Sequence, residues 1–254
     1  MSGALQRTLA PVVLVVALLA SWQAAVAVAE IPPYLLPSPV AIGREVAAMW
    51  PTLRGAIGVT GTNAAIGLAL GAVGGIAVAV LAAAVRVADR MLAPVVAGLA
   101  VVPIVALAPV LYTMFGADAE TARWMVAGIA AFVPVFLNAL RGLRQAQPVH
   151  RDLMRAYAAT PRQTTRVLTV PAALPFVFTG LRMASSLAVI SAIVAEYFGG
   201  PRTGIGSFIT TAASGSNYAR AWAFVVGGVV LGLAFYGTAL AVEHLAGRRG
   251  PVRT

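Results

Sequence analysis

The residues able to do chemistry are few, and most of them are arginines. The 254-residue chain has no lysine, so all 18 of its basic residues are arginine. Seven of these, Arg141, Arg144, Arg151, Arg155, Arg162, Arg166 and Arg182, fall in one stretch, RGLRQAQPVHRDLMRAYAATPRQTTRVLTVPAALPFVFTGLR. Asp152 and His150 lie inside it. Cysteine is absent, and the only histidines are His150 and His244. Disulfides, thiolate metal sites, cysteine nucleophiles and a histidine cluster are thereby excluded. No nucleophile–base pair is legible. A polar, arginine-rich segment of this kind is suited to docking against another surface, not to making or breaking bonds.

The elements that must carry this segment are membrane helices. Hydrophobic residues make up 60% of the chain and charged residues 10%, against about 25% charged in soluble domains. Mean hydropathy is +0.88. The formal charge of +10 could point to nucleic acid. The arginines, however, are distributed between apolar spans and form no basic domain, so no nucleic-acid partner is expected. A bilayer core is crossed by about 20 apolar residues in helical form, because irregular backbone facing lipid leaves its amides unsatisfied. Six segments meet that requirement: Leu9–Ala29, Thr60–Val85, Leu92–Phe115, Ala119–Leu140, Phe176–Tyr197 and Ala221–Val242. The expected fold is therefore an all-α, six-span membrane protein in one domain covering residues 1–254, with residues 141–175 as its polar loop.

Arginine placement orients the spans. With the N-terminus in the cytoplasm, only Arg44, Arg54, Arg123, Arg202 and Arg220 fall outside. The other thirteen, including Arg248, Arg249 and Arg253, fall inside, as the positive-inside rule requires. Both termini are then cytoplasmic. The first span also resembles a signal peptide, with Ala27-Val28-Ala29 before Glu30. Its run exceeds the usual h-region of about 7–15 residues, which favours a retained span.

Within the loop, Asp152–Ala159 reads as a short helix with Leu153, Met154 and Tyr157 grouped together and Arg151 and Arg155 one turn apart. Thr160, Pro161 and Gln163 read as a capping box that starts a second helix, expected to run to Thr169 and stop before Pro171. The exposed arginines serve either as contacts to a partner protein or as topology determinants against anionic lipid.

Inside the spans, the spacings Gly67-x-x-x-Gly71 and Gly228-x-x-x-Gly232 suit close helix approach or arise by chance from a small-residue-rich composition. Pro94, Pro103 and Pro109 should bend the third span. Freed carbonyls there need cover from protein or a water-filled path. Candidate path groups are Asn63, Pro103, Asn138 and Glu196, with interhelical hydrogen bonding as the alternative for the asparagines and an interfacial, solvated carboxylate for Glu196. Trp22, Trp50, Trp124 and Trp222 sit near span ends as interface anchors.

Asp152 to Pro171 resembles the "EAA" loop of bacterial ABC-importer permeases. Asp152 stands at the pattern's Glu position, Met154 at an Ala position and Ala158 at the Gly position. Leu168-Thr169-Val170-Pro171 follows at the pattern's spacing. Leu36-Pro37-Ser38-Pro39, Pro103 through Pro109, Thr179-Gly180-Leu181-Arg182 and Ala195-Glu196-Tyr197-Phe198-Gly199-Gly200 are similar to the nitrate/sulfonate/taurine branch. That branch includes importers of thiamine-pyrimidine and riboflavin precursors.

The resemblance implies a type I importer permease in a bacterial inner membrane, probed by these expectations. Asp152, Leu153, Met154, Arg155, Ala156, Tyr157, Ala158, Ala159 and Thr160 would dock a separate ATPase dimer that holds ATP-Mg. An extracytoplasmic binding protein would deliver a small organic solute or anion, and a second permease copy would complete the pore. The chain itself has no phosphate-cradling Gly-x-x-x-x-Gly-Lys-Ser/Thr motif and is expected to bind no cofactor or metal and to catalyse nothing. The alternative is an ion-coupled secondary transporter without an ATPase, which would place acids or histidines in mid-span and often show inverted repeats.

Overall fold

A computed structural model describes residues 3–247; Arg248, Arg249 and Arg253, used above for orientation, lie outside the described residues. The described residues are helices and connecting turns, with no strand among them.

The first helix, α1 (Gly3–Val28), carries its apolar stretch over Leu9–Val28. It touches the rest through its C-terminal turns, where Trp22 meets Trp222 edge-on at 5.7 Å and Gln23 Oε1 accepts from Val40 N at 3.2 Å. Ser38 then caps a short helix, α2 (Pro39–Ala48), by accepting from Ala41 N. Proline at its first turn suits a position whose N–H has no helical partner.

The centre is formed by α3 (Trp50–Ala84) and α6 (Glu120–Arg144), packed on α9 (Val170–Phe198). Gly67, Gly71 and Gly75 recur every four residues along one face of α3. A Cβ at Gly67 would lie 2.4 Å from that of Ala127, and one at Gly71 2.4 Å from Gly128 O. The two backbones are therefore in direct contact, and the small-residue spacing expected to bring helices together does so here. The second spacing differs: Gly228 abuts Ile193, but Gly232 faces open space. Alanines, with Leu53, Val135, Val189, Ile205 and Phe224, fill the core between α3, α6, α9 and the last two helices.

The third span is not one helix. It is divided into α4 (Arg86–Val101) and α5 (Ile104–Phe115). Val102 and Pro103 between them are extended, with ψ of 122° and 108°. Proline lacks the N–H that would continue the ladder, and its ring pushes the preceding residue out of the helical region. Pro103 thus breaks the span where a bend was expected. Among the described residues, five helices are long and apolar enough to cross a membrane, where six spans were expected; neither half of the broken third span is one of them.

The loop also departs from expectation. Its first helix, α7, runs Pro148–Ala156, four residues earlier at its start and three at its end than the sequence indicated. Proline at the first position sets that start. The second, α8 (Pro161–Thr164), does not stop before Pro171 but passes through a π-helical turn (Thr165–Thr169) straight into α9. Val170 N bonds Thr165 O, five residues back. This wider turn shifts the ladder just ahead of Pro171, so the chain continues despite the missing donor. After Gly199 and Gly200 come α10 (Ile205–Ser214) and α11 (Tyr218–Gly247). Both α2 and α10 are too short to register as spans.

Candidate functional site: a docking elbow and a buried charge cluster

The loop forms a compact elbow at one end of the bundle. Val149 and Leu153 on α7 and Tyr157 at its C-cap are exposed, Tyr157 by 76%, although they form the apolar side of an amphipathic helix. Asp152 and Arg155 form an exposed ion pair at 3.0 Å, which at such exposure contributes little to stability. Met154 and Ala159 are half-buried, while Ala156, Ala158 and Thr160 are exposed.

The end of α7 is closed by two interlocked bonds: Ala158 N donates to Arg155 O at 2.9 Å, and Ala159 N to Met154 O at 3.0 Å. This is the Schellman arrangement, which places one residue in the left-handed region. That residue is Ala158, with φ of +52°. The glycine of the family pattern would adopt this conformation without penalty. Thr160 follows at once and caps α8: Gln163 N donates to Thr160 Oγ1 at 3.3 Å, and Thr160 N to Gln163 Oε1 at 2.7 Å. A stop signal and a start signal separated by one residue give the elbow a fixed angle.

At the opposite end, α3, α5, α6, α9 and α10 converge on a buried charge cluster. Glu196, near the end of α9, is 1% exposed and Arg123, in the first turn of α6, is 0% exposed. Glu196 Oε2 accepts from Thr60 Oγ1 at 2.8 Å and from Gly206 N at 3.1 Å. Thr60 Oγ1 in turn accepts from Ile205 N at 2.9 Å. Glu196 and Thr60 thereby satisfy the free amides that begin α10, whose own N-cap is Gly204 with no side chain to offer. Negative charge at a helix N-terminus is favourable. The approach is tight, since a Cβ at Gly204 would lie 2.2 Å from Glu196 Cδ.

Arg123 binds on its other sides. Its Nη1 donates to Glu120 Oε2 at 3.0 Å, its Nε to Tyr112 Oη at 3.4 Å, and its Nη2 to Pro201 O. Glu196 Oε1 lies 3.9 Å from Arg123 Nη1. Asn63 Oδ1 accepts from Trp124 Nε1 at 2.8 Å beside them.

Of the four path candidates, the structure brings Asn63 and Glu196 to this one region. Asn138 lies elsewhere on α6, donating to Pro134 O of its own helix at 2.8 Å, and Pro103 is exposed at the break in the third span. Glu196 is enclosed and not solvated, at 1% exposure. Sequence reasoning missed Thr60, Tyr112 and the role of Arg123, which had been counted only as an outer arginine. The available signal was an arginine and a glutamate each set inside the end of an apolar helix, where charge is costly unless paired.

An integral membrane protein of several spans, with an exposed amphipathic elbow at one end and an enclosed charge cluster at the other, is the class defined by this arrangement. Residues 71–249 match the family described as the inner membrane component of binding-protein-dependent transport systems. The chain belongs to that family, which favours a permease subunit over the ion-coupled alternative. It is 31% identical over 200 residues to the riboflavin transport system permease protein of Chloroflexus aurantiacus, covering 77% of this chain and 73% of that one. It is 34% identical over 177 residues to the formylaminopyrimidine transport permease protein of Halalkalibacterium halodurans, covering 69% and 70%. A putative aliphatic sulfonates transport permease protein of Bacillus subtilis is 27% identical over 217 residues, covering 85% and 78%. These relatives are permeases of ABC transport systems for small solutes, and this chain is a permease of that kind.

Proposed function

We propose that α7 and the α7–α8 elbow seat in a separate ATPase subunit, and that two copies of this chain engage an ATPase dimer that holds ATP-Mg. The observation that carries this reading is the exposed apolar face of α7. Val149, Leu153 and Tyr157 stand in solvent on a helix whose two ends are fixed by the Schellman turn and by Pro148. Exposed aromatic and aliphatic anchors flanked by charge are the usual make-up of a protein-binding surface. Asp152 and Arg155 flank it as polar contacts.

In this reading the elbow faces the cytoplasm and both termini lie on that side, in a bacterial cell membrane. The opposite end, with the Glu196–Arg123 cluster, receives a small organic solute or anion from an extracytoplasmic binding protein. ATP-driven closure of the ATPase dimer moves both elbows and switches the spans between inward- and outward-facing states. Asn63, Pro103, Asn138 and Glu196 keep their proposed connection to the path, the first and last through the enclosed cluster at its outer end. The test is co-purification. Charge reversal at Asp152 together with Leu153→Ser and Tyr157→Ser should leave the chain in the membrane but remove the ATPase from the purified complex. Undiminished ATPase recovery would overturn the docking assignment.

A further inference from the structure

The two halves of α11 are held differently. Its first half is packed: Phe224 and Leu231 are buried, a Cβ at Gly227 would meet Leu53, and one at Gly228 would meet Ile193. Between Gly232 and Ala246 no residue of the helix is buried. Cβ atoms at Gly232 and Gly237 would meet nothing within 4 Å. Two apolar grooves, of about 580 and 440 Å³, separate α11 from α9, the second bounded also by α3.

A charged contact crosses this loosely packed interface. Arg182 Nη1, on α9, donates to Glu243 Oε2, on α11, at 3.1 Å. The guanidinium also lies 6.0 Å from the centre of the Tyr236 ring. The two paired side chains are 28% and 26% exposed. Arg182 stands 14 residues before Glu196 on α9, about 21 Å nearer the elbow.

Position decides what the pair can do. Arg182 lies six residues inside the apolar run Phe176–Tyr197, where a charge without a partner is costly in lipid. Partly exposed ion pairs contribute little net stability, so this one holds the arm of α11 without locking it. When the arm lifts, both charges need water, so the space that opens is wet and not filled by lipid.

The other end of α11 is tied to α9 through α10, by Glu196 Oε2 accepting from Gly206 N. The α10–α11 corner is stiff. Asn217 N donates to Ala212 O at 2.9 Å and Ser216 N to Ala213 O at 3.0 Å, with Ser216 at φ of +57°, and Asn217 Oδ1 accepts from Arg220 N at 3.1 Å to cap α11. A Schellman stop and a cap in succession fix the bend. The two helices thus form one bent lever, packed on α9 near Phe224 and Leu231 and held to it by polar contacts at both ends. We infer that Arg182 and Glu243 are positioning residues for transport, a clasp that holds the inner arm of α11 on α9 and releases it in the inward-facing state. The inference rests on the importer reading above.

The test uses the full-length permease reconstituted with a cysteine-free ATPase in lipid nanodiscs. The chain has no cysteine of its own. Spin labels at Met183→Cys and His244→Cys, both exposed beside the clasp, in one labelled copy per complex, therefore report its width. The nucleotide-free complex should show a longer distance population that trapping with ATP and vanadate removes. Arg182→Gln should raise the open-to-closed ratio in the trapped complex at least about fivefold, the effect of losing one hydrogen bond to a charged group. Arg182→Lys, which keeps the charge, should restore the closed population. A merely structural pair would lower the unfolding temperature of Arg182→Gln and leave its distances unchanged. That result, one distance in both nucleotide states, or Arg182→Lys behaving as Arg182→Gln would overturn the inference. In each case a complex that still contains its ATPase leaves the importer reading standing, whereas a permease that never recovers an ATPase overturns that reading instead.

Discussion

Glu196 Oε1 lies 3.9 Å from Arg123 Nη1, and both side chains are wholly buried. Neither residue is explained by this pair alone. Glu196 is held mainly by the start of α10 and by Thr60, and Arg123 mainly by Glu120, Tyr112 and Pro201 O. The pair joins two hydrogen-bonded sets that together tie five helices at one end of the bundle.

Removing one member should therefore cost more than removing both. Arg123→Met leaves Glu196 as a buried charge without its counter-ion, and loss of one partner of a buried pair costs about 3–5 kcal/mol. The double variant Arg123→Met with Glu196→Gln should recover part of that loss. Thermal unfolding of the four proteins in detergent, arranged as a cycle, measures the coupling. Strict additivity would count against an interaction between them.

Gly206→Ala should dislodge α10. A Cβ there would lie 2.1 Å from Ile193 O and 2.7 Å from Tyr197 N, both backbone atoms with little freedom to move. The expected outcome is a lower unfolding temperature and faster proteolysis confined to residues 199–217. Gly232→Ala, which meets nothing within 4 Å, is the matched control and should change neither.

Ala158→Gly should stabilise the elbow. An L-residue in the left-handed region costs about 1–2 kcal/mol, a penalty that glycine escapes. Part of the gain is offset by glycine's greater freedom in the unfolded chain. Slower amide exchange across Tyr157 and Ala159, with ATPase recovery undiminished, is the expected result.

Thr160→Ala should loosen the same elbow from the other side. It deletes the hydroxyl that accepts from Gln163 N, a capping loss of about 1 kcal/mol. The readout is faster amide exchange through Pro161–Thr164 and reduced ATPase recovery, partly restored by Thr160→Ser.

Much of this was legible in the chain. Long apolar runs located the long helices, and Thr160-Pro161-Arg162-Gln163 announced its capping box because that signal is local. Gly67-x-x-x-Gly71 marked a face suited to close approach, though not that α6 would meet it, and a spacing alone could not separate it from Gly228-x-x-x-Gly232, where only one glycine meets a neighbour. Other features were hidden because they depend on distant partners. The break at Pro103 looks the same in sequence as the tolerated prolines Pro94 and Pro109, which remain inside helices. The cluster at Glu196 required residues from 60 to 206 to meet, and no periodicity reports that. The π-turn ahead of Pro171 has no composition signal of its own.

The contact at Gly67 and Gly71 bears on how movement would travel. Helices touching through their backbones leave no side-chain layer to shear, so α3 and α6 behave as one strut, with α9 laid along it. At 29 residues, α9 is a rod about 43 Å long, rooted in the elbow and ending at Glu196. Tilting such a rod by about 5° swings its far tip through about 4 Å, more than the reach of a hydrogen bond. If Tyr157 is gripped as proposed, a rotation of that size at the elbow would be enough, at the other end, to pull Glu196 away from the amides of α10.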